Sequence, residues 1–208
     1  MTGSDHGPDF ATKPVLSGDL VTLRVLTGAD QDAIMSMYRD PAVRRLTGSH
    51  SGIDPAAGLA WLVSRADQDD RLDLAVVERS TGACVGEAVL NEWDPANETC
   101  SFRIALDARV HGQGLGTEAT RLIVGYGFER LGPHRISLEV YAFNPRARRA
   151  YEKVGFVAEG VLRESLLWEG ERIDATVMSI LAQEWAKHRG QPGRLADRRS
   201  RAGCPGSA

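Results

Sequence analysis

The stretch His111-Gly112-Gln113-Gly114-Leu115-Gly116-Thr117-Glu118-Ala119 places three glycines at alternate positions, where an extended segment gives way to a helix. Because glycine has no Cβ, its backbone can adopt a positive φ and approach an anion closely. Successive N–H groups at the start of a helix can then converge on a pyrophosphate. The stretch therefore predicts a phosphate-binding loop. A tightly packed strand-to-helix turn is the alternative, since it needs the same glycines.

A second patterned stretch, Asn144-Pro145-Arg146-Ala147-Arg148-Arg149-Ala150-Tyr151-Glu152-Lys153-Val154-Gly155-Phe156, lies downstream of the loop. Asn144 is a favoured N-cap, Pro145 suits the first helical position, and Gly155 suits the residue after a helix end. The stretch is therefore predicted to form a helix. The two motifs leave room between them for one helix, over 117–131, and one strand, over 136–140.

Together the two motifs resemble those of the GNAT superfamily of acetyl-CoA-dependent N-acetyltransferases. The loop of that family reads Gln/Arg-x-x-Gly-x-Gly/Ala, and its later helix reads Asn-x-x-Ala/Ser-x-x-x-Tyr-Glu-Lys-x-Gly-Phe. Gly114 and Gly116 match the loop, and the helix is matched by Asn144, Ala147, Tyr151, Glu152, Lys153, Gly155 and Phe156. His111 departs from the pattern, because the family prefers Gln or Arg there. The stretches SFRIAL, GTEA and EGVLRE, followed by Asp174, resemble the Rim-type branch, named for acetylation of ribosomal-protein N-termini.

The resemblance implies an α/β fold in a single domain. Its mixed, mostly antiparallel sheet would have about six or seven strands, with about four helices and a splayed central pair of strands. It also implies acetyl-CoA as co-substrate, an amine as acceptor and no metal. The residues implied to bind acetyl-CoA lie in the loop, in the strand before it and in the later helix: Ile104, Leu106, His111, Gly112, Gln113, Gly114, Leu115, Gly116, Thr117, Asn144, Ala147, Arg149, Tyr151 and Lys153.

The composition of the whole chain favours one globular domain. Its 208 residues, 42% hydrophobic and 25% charged, can bury one substantial core, which we place at residues 18–186. The segments 1–17 and 187–208 lack hydrophobic periodicity and are predicted to be disordered. A net charge of -3 argues against a protein that coats nucleic acid.

Cysteine use and hydropathy predict a cytoplasmic protein. Cys84, Cys100 and Cys204 are odd in number and lack the spacing of a metal site, so free thiols in a reducing compartment are expected. No apolar run is long enough to span a membrane, and the first residues lack the apolar region of a signal peptide. We therefore expect no membrane partner.

Hydrophobic periodicity predicts the order of the remaining elements. A helix over 29–38 should end at Asp40-Pro41. The loop Thr47–Gly52 is expected to set acceptor specificity, because binding residues often lie on loops. A further helix is predicted at 55–66, and further strands at 20–26, 72–78, 84–91, 101–106, 156–167 and 173–180. A dinucleotide-binding fold would carry its glycines after the first strand, and a P-loop would need Gly-Lys-Ser/Thr, so neither fits.

Tyr151 is the candidate general acid. The departing thiolate of CoA needs a proton, and a phenol of reference pKa about 10 lies not far above a thiol of about 8.5. The resemblance implies the same role at this position. The alternative is a core tyrosine, because Tyr151 lies on the apolar stripe of its helix.

A carboxylate is the expected proton acceptor for the incoming amine. Glu87 lies on a strand between two valines, so an apolar environment is expected to raise its pKa; an ordinary edge carboxylate or ion pair is the alternative. Ser101 stands where Rim-type relatives often carry Glu, which suggests an ordered water or a base supplied elsewhere. The rival carboxylates are Glu98, Glu139 and Asp174. A backbone N–H near Ile104 or Leu106 is expected to meet the oxyanion.

The sequence thus predicts an N-acetyltransferase that moves an acetyl group directly from acetyl-CoA to a primary amine in a ternary complex. The acceptor stays open between a protein N-terminal α-amine, as the Rim-type resemblance implies, and a small amine such as an antibiotic, a polyamine or an amino acid. A non-catalytic acyl-CoA sensor is the alternative from another class, since Ser101 replaces a carboxylate. The resemblance also makes a homodimer plausible.

Overall fold

The computed structural model describes residues 9–50 and 55–189 of the chain. These residues form one mixed sheet and six α-helices. The strands are β1 (Leu16–Ser17), β2 (Val21–Val25), β3 (Leu72–Glu78), β4 (Cys84–Asp94), β5 (Thr99–Leu106), β6 (Arg135–Tyr141), β7 (Val157–Trp168) and β8 (Glu171–Leu181). The helices are α1 (Gln31–Arg39), α2 (Pro41–Thr47), α3 (Pro55–Ser64), α4 (Leu115–Tyr126), α5 (Pro145–Val154) and α6 (Ala182–His188).

The sheet has the strand order β1-β2-β3-β4-β5-β6-β8-β7. Every neighbouring pair is antiparallel except β5 and β6. These two strands pair at Thr99 with Arg135, Cys100 with Ile136 and Ser101 with Ser137, and then separate. The predicted fold class and the splayed central pair are therefore confirmed. The prediction missed one strand, the two-residue β1, and two short helices, α2 and α6.

Helix α2 was missed because its start signal was interpreted only as a stop signal. Asp40 does end α1, but its carboxylate also accepts a hydrogen bond of 2.8 Å from the N–H of Ala42. Pro41 follows at the first helical position, and Gly48 closes the helix with a φ of 67°. This is the same combination of N-cap, proline and terminal glycine that correctly predicted α5.

Both ends of the folded unit extend beyond the predicted boundaries. Phe10 and Leu16 are only 2% and 6% exposed, so the expectation of disorder over 1–17 is wrong for these residues. Phe10 packs beside Trp93, with 6.0 Å between ring centroids. At the other end, α6 buries Trp185 against Phe128 and continues to residue 188. Residues 1–8 and 190–208 lie outside the described part.

The two faces of the sheet carry separate cores. Helices α4 and α5 cover one face, where Phe102 of β5 and Ile136 of β6 belong to the larger cluster of buried side chains. Helices α1, α2 and α3 cover part of the other face, where Ala105 of β5 joins Ile34 of α1. Because side chains alternate along a strand, β5 presents Phe102 to the first face and Ser101, Arg103 and Ala105 to the second.

Helix α4 is tied to the start of the sheet by Glu118 of the GTEA stretch. Its carboxylate accepts hydrogen bonds of 2.7 to 2.9 Å from the N–H groups of Asp19, Leu20 and Val21. A carboxylate in the first turn of a helix is also favoured by the helix dipole. This contact fixes the position of the glycine loop relative to β2.

Candidate active site

A cavity of about 690 Å³ opens where β5 and β6 separate. Its wall combines residues from both faces of the sheet. On one face it is lined by Ala147 and Tyr151 of α5, and on the other by Tyr38 of α1 and Glu87 of β4. The cavity therefore runs through the sheet, so two molecules that enter from opposite faces can meet inside it.

The glycine loop forms one end of this cavity. Gly112 and Gly114 have φ values of 79° and 92°, in the left-handed region that favours glycine. Gly114 is the N-cap of α4, and the first N–H groups of a helix have no partner within it. A Cβ on Gly116 would lie 3.1 Å from Cδ1 of Leu106. The loop is thus both a tightly packed turn and a set of backbone donors available to an anion.

His111 links this loop to α5. Its Nδ1 lies 2.9 Å from Nη2 of Arg146, and its Nε2 lies 3.0 Å from the carbonyl oxygen of Leu106. Since a guanidinium can only donate, Nδ1 accepts and Nε2–H donates to Leu106. Burial, followed by the charge of Arg146, lowers the pKa of His111. A neutral His111 with both nitrogens engaged positions Arg146 instead of presenting a free donor.

Most of the residues predicted to bind acetyl-CoA line the cavity. They are Ile104, Leu106, His111, Gly112, Gly114, Gly116, Thr117, Asn144, Ala147, Arg149, Tyr151 and Lys153. Two predicted residues do not line it. The exposed side chain of Gln113 donates instead to the carbonyl of Arg109 at 2.9 Å. Leu115 is 4% exposed, because the first residue of α4 points its side chain into the core.

The arginines of α5 divide between the cavity and the solvent. Arg146 and Arg149 line the cavity, together with Lys153 one turn further along the helix. Arg148 instead makes a 3.0 Å ion pair with Glu152, four residues away on the exposed side. The cavity therefore has a cationic wall beside the glycine loop, as a site for phosphates requires.

Tyr151 combines a packed ring with a free hydroxyl. The ring lies edge-on to Phe102, with 6.1 Å between centroids, and also packs against Phe156. Its hydroxyl makes no hydrogen bond to any residue in the described part of the chain. Burial raises the pKa of Tyr151 to about 12. The phenol is thus protonated at neutral pH and can donate to a group in the cavity.

Glu87 lies deep on the opposite face, at 6% exposure. Tyr38 donates a hydrogen bond of 2.5 Å to its Oε1. Its Oε2 is inaccessible to solvent and has no hydrogen-bond partner among the described residues. Burial raises the pKa of Glu87, and the hydrogen bond from Tyr38 opposes this change. The direction of the pKa change agrees with the prediction, although Tyr38 makes the surroundings of Glu87 partly polar, and the role of Glu87 as a base stays a prediction.

Ser101 lies at the point where β5 and β6 separate, and its hydroxyl donates to Oε2 of Glu92 at 2.7 Å. Glu92 is exposed and lines the cavity. Sequence reasoning missed Glu92, since no pattern in the sequence marks the irregularity of β4 that brings it beside Ser101. It also missed Tyr38 and Arg103, which line the same part of the cavity.

The rival carboxylates have different positions. Glu139 of β6 is exposed and lines the cavity. Glu98 lies in the turn before β5, outside the cavity lining, with a φ of 53°. Asp174 of β8 is also outside the lining, and its carboxylate accepts a 2.8 Å hydrogen bond from the N–H of Glu164. Glu139 is thus the rival that shares the cavity with Glu87.

The segment after α2 extends toward the β7–β8 hairpin. His50 stacks on Trp168 at the end of β7, with 5.5 Å between ring centroids. The guanidinium of Arg45 lies 4.8 Å from the ring centroid of Phe143. Thr47 belongs to α2 and lines the cavity, whereas residues 51 and 52 of the predicted specificity loop lie outside the described residues.

The two cysteines in the described part are free. Burial raises the pKa of the Cys84 thiol to about 11 and that of Cys100 to about 12, so neither is a thiolate at neutral pH. Cys204 lies outside the described residues. Within 9–50 and 55–189, no three His, Cys, Asp or Glu residues form a group that could hold a metal ion. No helix in those same ranges is both long and apolar enough to cross a membrane.

Comparison with known proteins assigns a family to this architecture. The profile of the acetyltransferase (GNAT) domain matches residues 21–157, which include the glycine loop and α5. The chain belongs to the GNAT family of acetyltransferases. It is accordingly an N-acetyltransferase, and acetyl-CoA is the donor that this family uses.

The relatives named here cover between half and four fifths of the chain. The uncharacterized N-acetyltransferase YoaA of Bacillus subtilis (strain 168) is 26% identical over 171 residues, covering 81% of this chain and 97% of YoaA. YdaF of the same organism, provisionally named a ribosomal N-acetyltransferase, is 29% identical over 50% of this chain and 57% of its own. The spermidine N-acetyltransferase of Vibrio cholerae in complex with CoA and spermine superimposes with a TM-score of 0.74, at 23% identity, over 80% of this chain and 98% of its own.

Proposed function

We propose that this GNAT protein transfers an acetyl group from acetyl-CoA directly to a primary amine, with both substrates bound at once. One observation carries the proposal: the cavity runs through the sheet at the separation of β5 and β6. The donor would occupy the half of the cavity on the face of α4 and α5, here called the donor half. The amine would enter the half on the face of α1 and α2, here called the acceptor half. Direct transfer needs no covalent acyl-enzyme, because the nitrogen and the thioester carbon meet inside the sheet.

The donor half of the cavity suits the parts of acetyl-CoA in order. The glycine loop and the cations of α5 would bind the pyrophosphate. Beyond Ser101, the edge of β5 that faces β6 pairs with no strand of the described residues, so the main chain of Ile104 and Leu106 can bind the amide groups of the pantetheine arm. A backbone N–H on the same edge would stabilise the oxyanion. These features support the predicted binding residues apart from Gln113 and Leu115.

Tyr151 would act as the general acid. As the C–S bond breaks, the thiolate takes the phenolic proton, and the second proton lost by the amine nitrogen returns to the phenolate through solvent. The free hydroxyl and its protonated state support this role. The alternative of a purely structural tyrosine accounts for the ring contacts with Phe102 and Phe156, but not for a hydroxyl that bonds none of the residues that the structure describes.

The acceptor is proposed to be a protein N-terminal α-amine, as the Rim-type resemblance and the likeness to YdaF suggest. A polyamine is the second candidate, and a specific observation favours it. Glu92 and Glu139 are exposed carboxylates on the acceptor half of the cavity, and carboxylates attract the further ammonium groups of a polyamine. The spermine-bound relative from Vibrio cholerae supports the same candidate.

Titration of the chain with acetyl-CoA and with CoA, followed by thiol release on addition of amines, tests the proposal. The amine panel should contain N-terminal peptides, spermidine, an aminoglycoside and amino acids. Binding with thiol release would support transfer and would identify the acceptor class. Binding without release for every amine would favour the alternative of a non-catalytic acyl-CoA sensor. The absence of binding would contradict the assignment of the glycine loop.

A further inference from the structure

A β-bulge in β4 lies beside the point where β5 and β6 separate. Asn91 pairs with Ser101 and Asp94 pairs with Thr99, so Glu92 and Trp93 together stand opposite Cys100. Bulges of this kind change the direction in which side chains point and are common next to active sites. The residue whose direction changes here is Glu92.

The regular alternation of β4 would direct Glu92 away from the acceptor half. Ala88 and Leu90 belong to the core under α4 and α5. Glu92 follows Leu90 by two residues, so in a regular strand its side chain would point to the same face. The bulge shifts the alternation by one residue. Trp93 packs on that core in its place, and Glu92 reaches Ser101 on the opposite face of the sheet.

The backbone of Glu92 is strained in order to reach this position. Its φ is 55°, in the left-handed region that non-glycine residues rarely adopt. Such outliers persist only where the surrounding structure imposes them, and they cluster at functional sites. The packing of Trp93 against Phe10 and the pairing of Asp94 with Thr99 hold the strained residue in place.

We propose that Glu92 is the catalytic carboxylate that takes the proton from the acceptor ammonium, and that Ser101 positions it. This assignment rests on the proposed acetyl transfer. The Ser101 hydroxyl occupies Oε2 of Glu92, and Oε1, which bonds no residue in 9–50 or 55–189, can accept from an ammonium in the cavity. Glu87 is less suited to the role, because its Oε1 is bonded to Tyr38 and its Oε2 is inaccessible.

The proton balance is complete with the groups named. The ammonium gives one proton to Glu92, and its nitrogen pair then forms the N–C bond to the thioester carbon. Collapse of the tetrahedral adduct breaks the C–S bond, and the sulfur takes a proton from Tyr151. The nitrogen loses its second proton to solvent, from which Tyr151 is reprotonated. Glu92 also releases its proton to solvent, so one proton is released per acetyl transferred.

The test compares Glu92→Gln with Glu98→Gln. Both residues have a positive φ near the same turn, but Glu98 lies outside the cavity lining. Each variant is assayed with spermidine, or with an N-terminal peptide where that is the amine that releases thiol from the unmodified chain, and with the β,β-difluoro analogue of the same amine, whose lower basicity leaves a larger fraction neutral at pH 7. We expect Glu92→Gln to lower kcat/KM for the basic amine by about 100-fold or more. For the analogue, the same substitution should lower kcat/KM by a factor at least ten times smaller. Glu98→Gln should have the same kcat/KM as the unmodified chain for both amines.

Two results would overturn the assignment of Glu92 while leaving acetyl transfer intact. One is a Glu92→Gln variant with unchanged kcat/KM, and the other is an equal loss for both amines, as a merely structural role would give. Affinity for acetyl-CoA, measured by titration, should be the same in all three proteins. If the unmodified chain transfers no acetyl group to any amine, the proposed function fails and this inference fails with it.

Discussion

The hydroxyl of Tyr38 donates a 2.5 Å hydrogen bond to Glu87 at the base of the acceptor half, where the carboxyl group is almost completely buried. Because burial raises the pKa of Glu87, the folded protein holds a proton on this group at pH values where the unfolded chain has lost it. This contribution to stability is complete below the ordinary glutamate pKa of about 4.3 and declines as the pH rises through the folded value.

We therefore predict that Glu87→Gln removes the part of the fall in stability at rising pH that the buried carboxyl group causes. The free energy of unfolding of the variant, minus that of the parent, should increase as the pH is raised from 4 toward 8. Urea unfolding across that range measures the difference. Glu169→Gln, in the exposed tip of the β7–β8 hairpin, is the control, because it makes the same substitution outside the core. Parallel curves for Glu87→Gln and the parent would contradict the role given to burial.

Replacement of Tyr151 with Phe should lower kcat by about 100-fold or more, because the departing thiolate loses its proton donor. The affinity for acetyl-CoA should change little, since the ring contacts with Phe102 and Phe156 remain. Steady-state kinetics and calorimetry measure the two quantities separately. Tyr126→Phe is the matched control, because Tyr126 of α4 is also partly buried but does not line the cavity. Unchanged turnover of Tyr151→Phe would remove this residue from the mechanism.

Gly114→Glu should abolish binding of acetyl-CoA while the domain stays folded. The substitution adds a negative charge where the pyrophosphate is proposed to bind and strains a residue with a φ of 92°. Gly132→Glu adds the same side chain at a φ of 73°, in open space beyond α4. Backbone strain should lower the free energy of unfolding of both variants by about 1 to 3 kcal/mol. Only Gly114→Glu should fail to bind acetyl-CoA. Normal titration of Gly114→Glu with acetyl-CoA would refute the loop assignment.

Phe10→Ala should destabilise the protein by about 3 to 5 kcal/mol, because the ring is 2% exposed and packs beside Trp93. Val15→Ala is the control in the same segment. Its side chain is 69% exposed, so its effect should stay within about 0.5 kcal/mol. Chemical unfolding measures both. Equal small effects would mean that the segment before β1 contributes nothing to the core.

The elements that sequence reasoning predicted well have their own local signals. Asn144, Pro145 and Gly155 gave both ends of α5 because capping depends on a few neighbouring residues. The glycine loop was found for the same reason. Asp40-Pro41 carried the same start signal for α2, but the helix is too short to show a clear hydrophobic period. It was therefore interpreted only as the end of α1.

The features that were missed depend on contacts between distant parts of the chain. Nothing near Phe10 indicates that Trp93 will cover it. The approach of Glu92 to Ser101 requires a bulge that exists only once β4 and β5 are paired. Leu115 was included with the loop glycines because the sequence does not reveal which way the first helical residue points. In each case the deciding contact forms only in the assembled sheet.

The pairing of β5 with β6 stops after three residue pairs and leaves a seam in the middle of the sheet. Along this seam, the edge of Phe102–Leu106 that points away from β4 and the edge of Leu138–Tyr141 that points away from β8 pair with no strand in the described part of the chain. A pantetheine arm resembles a short peptide, because its amide groups offer the same donors and acceptors. In the proposed reaction the co-substrate would therefore act as a temporary strand, and each catalytic cycle would complete the sheet and open it again.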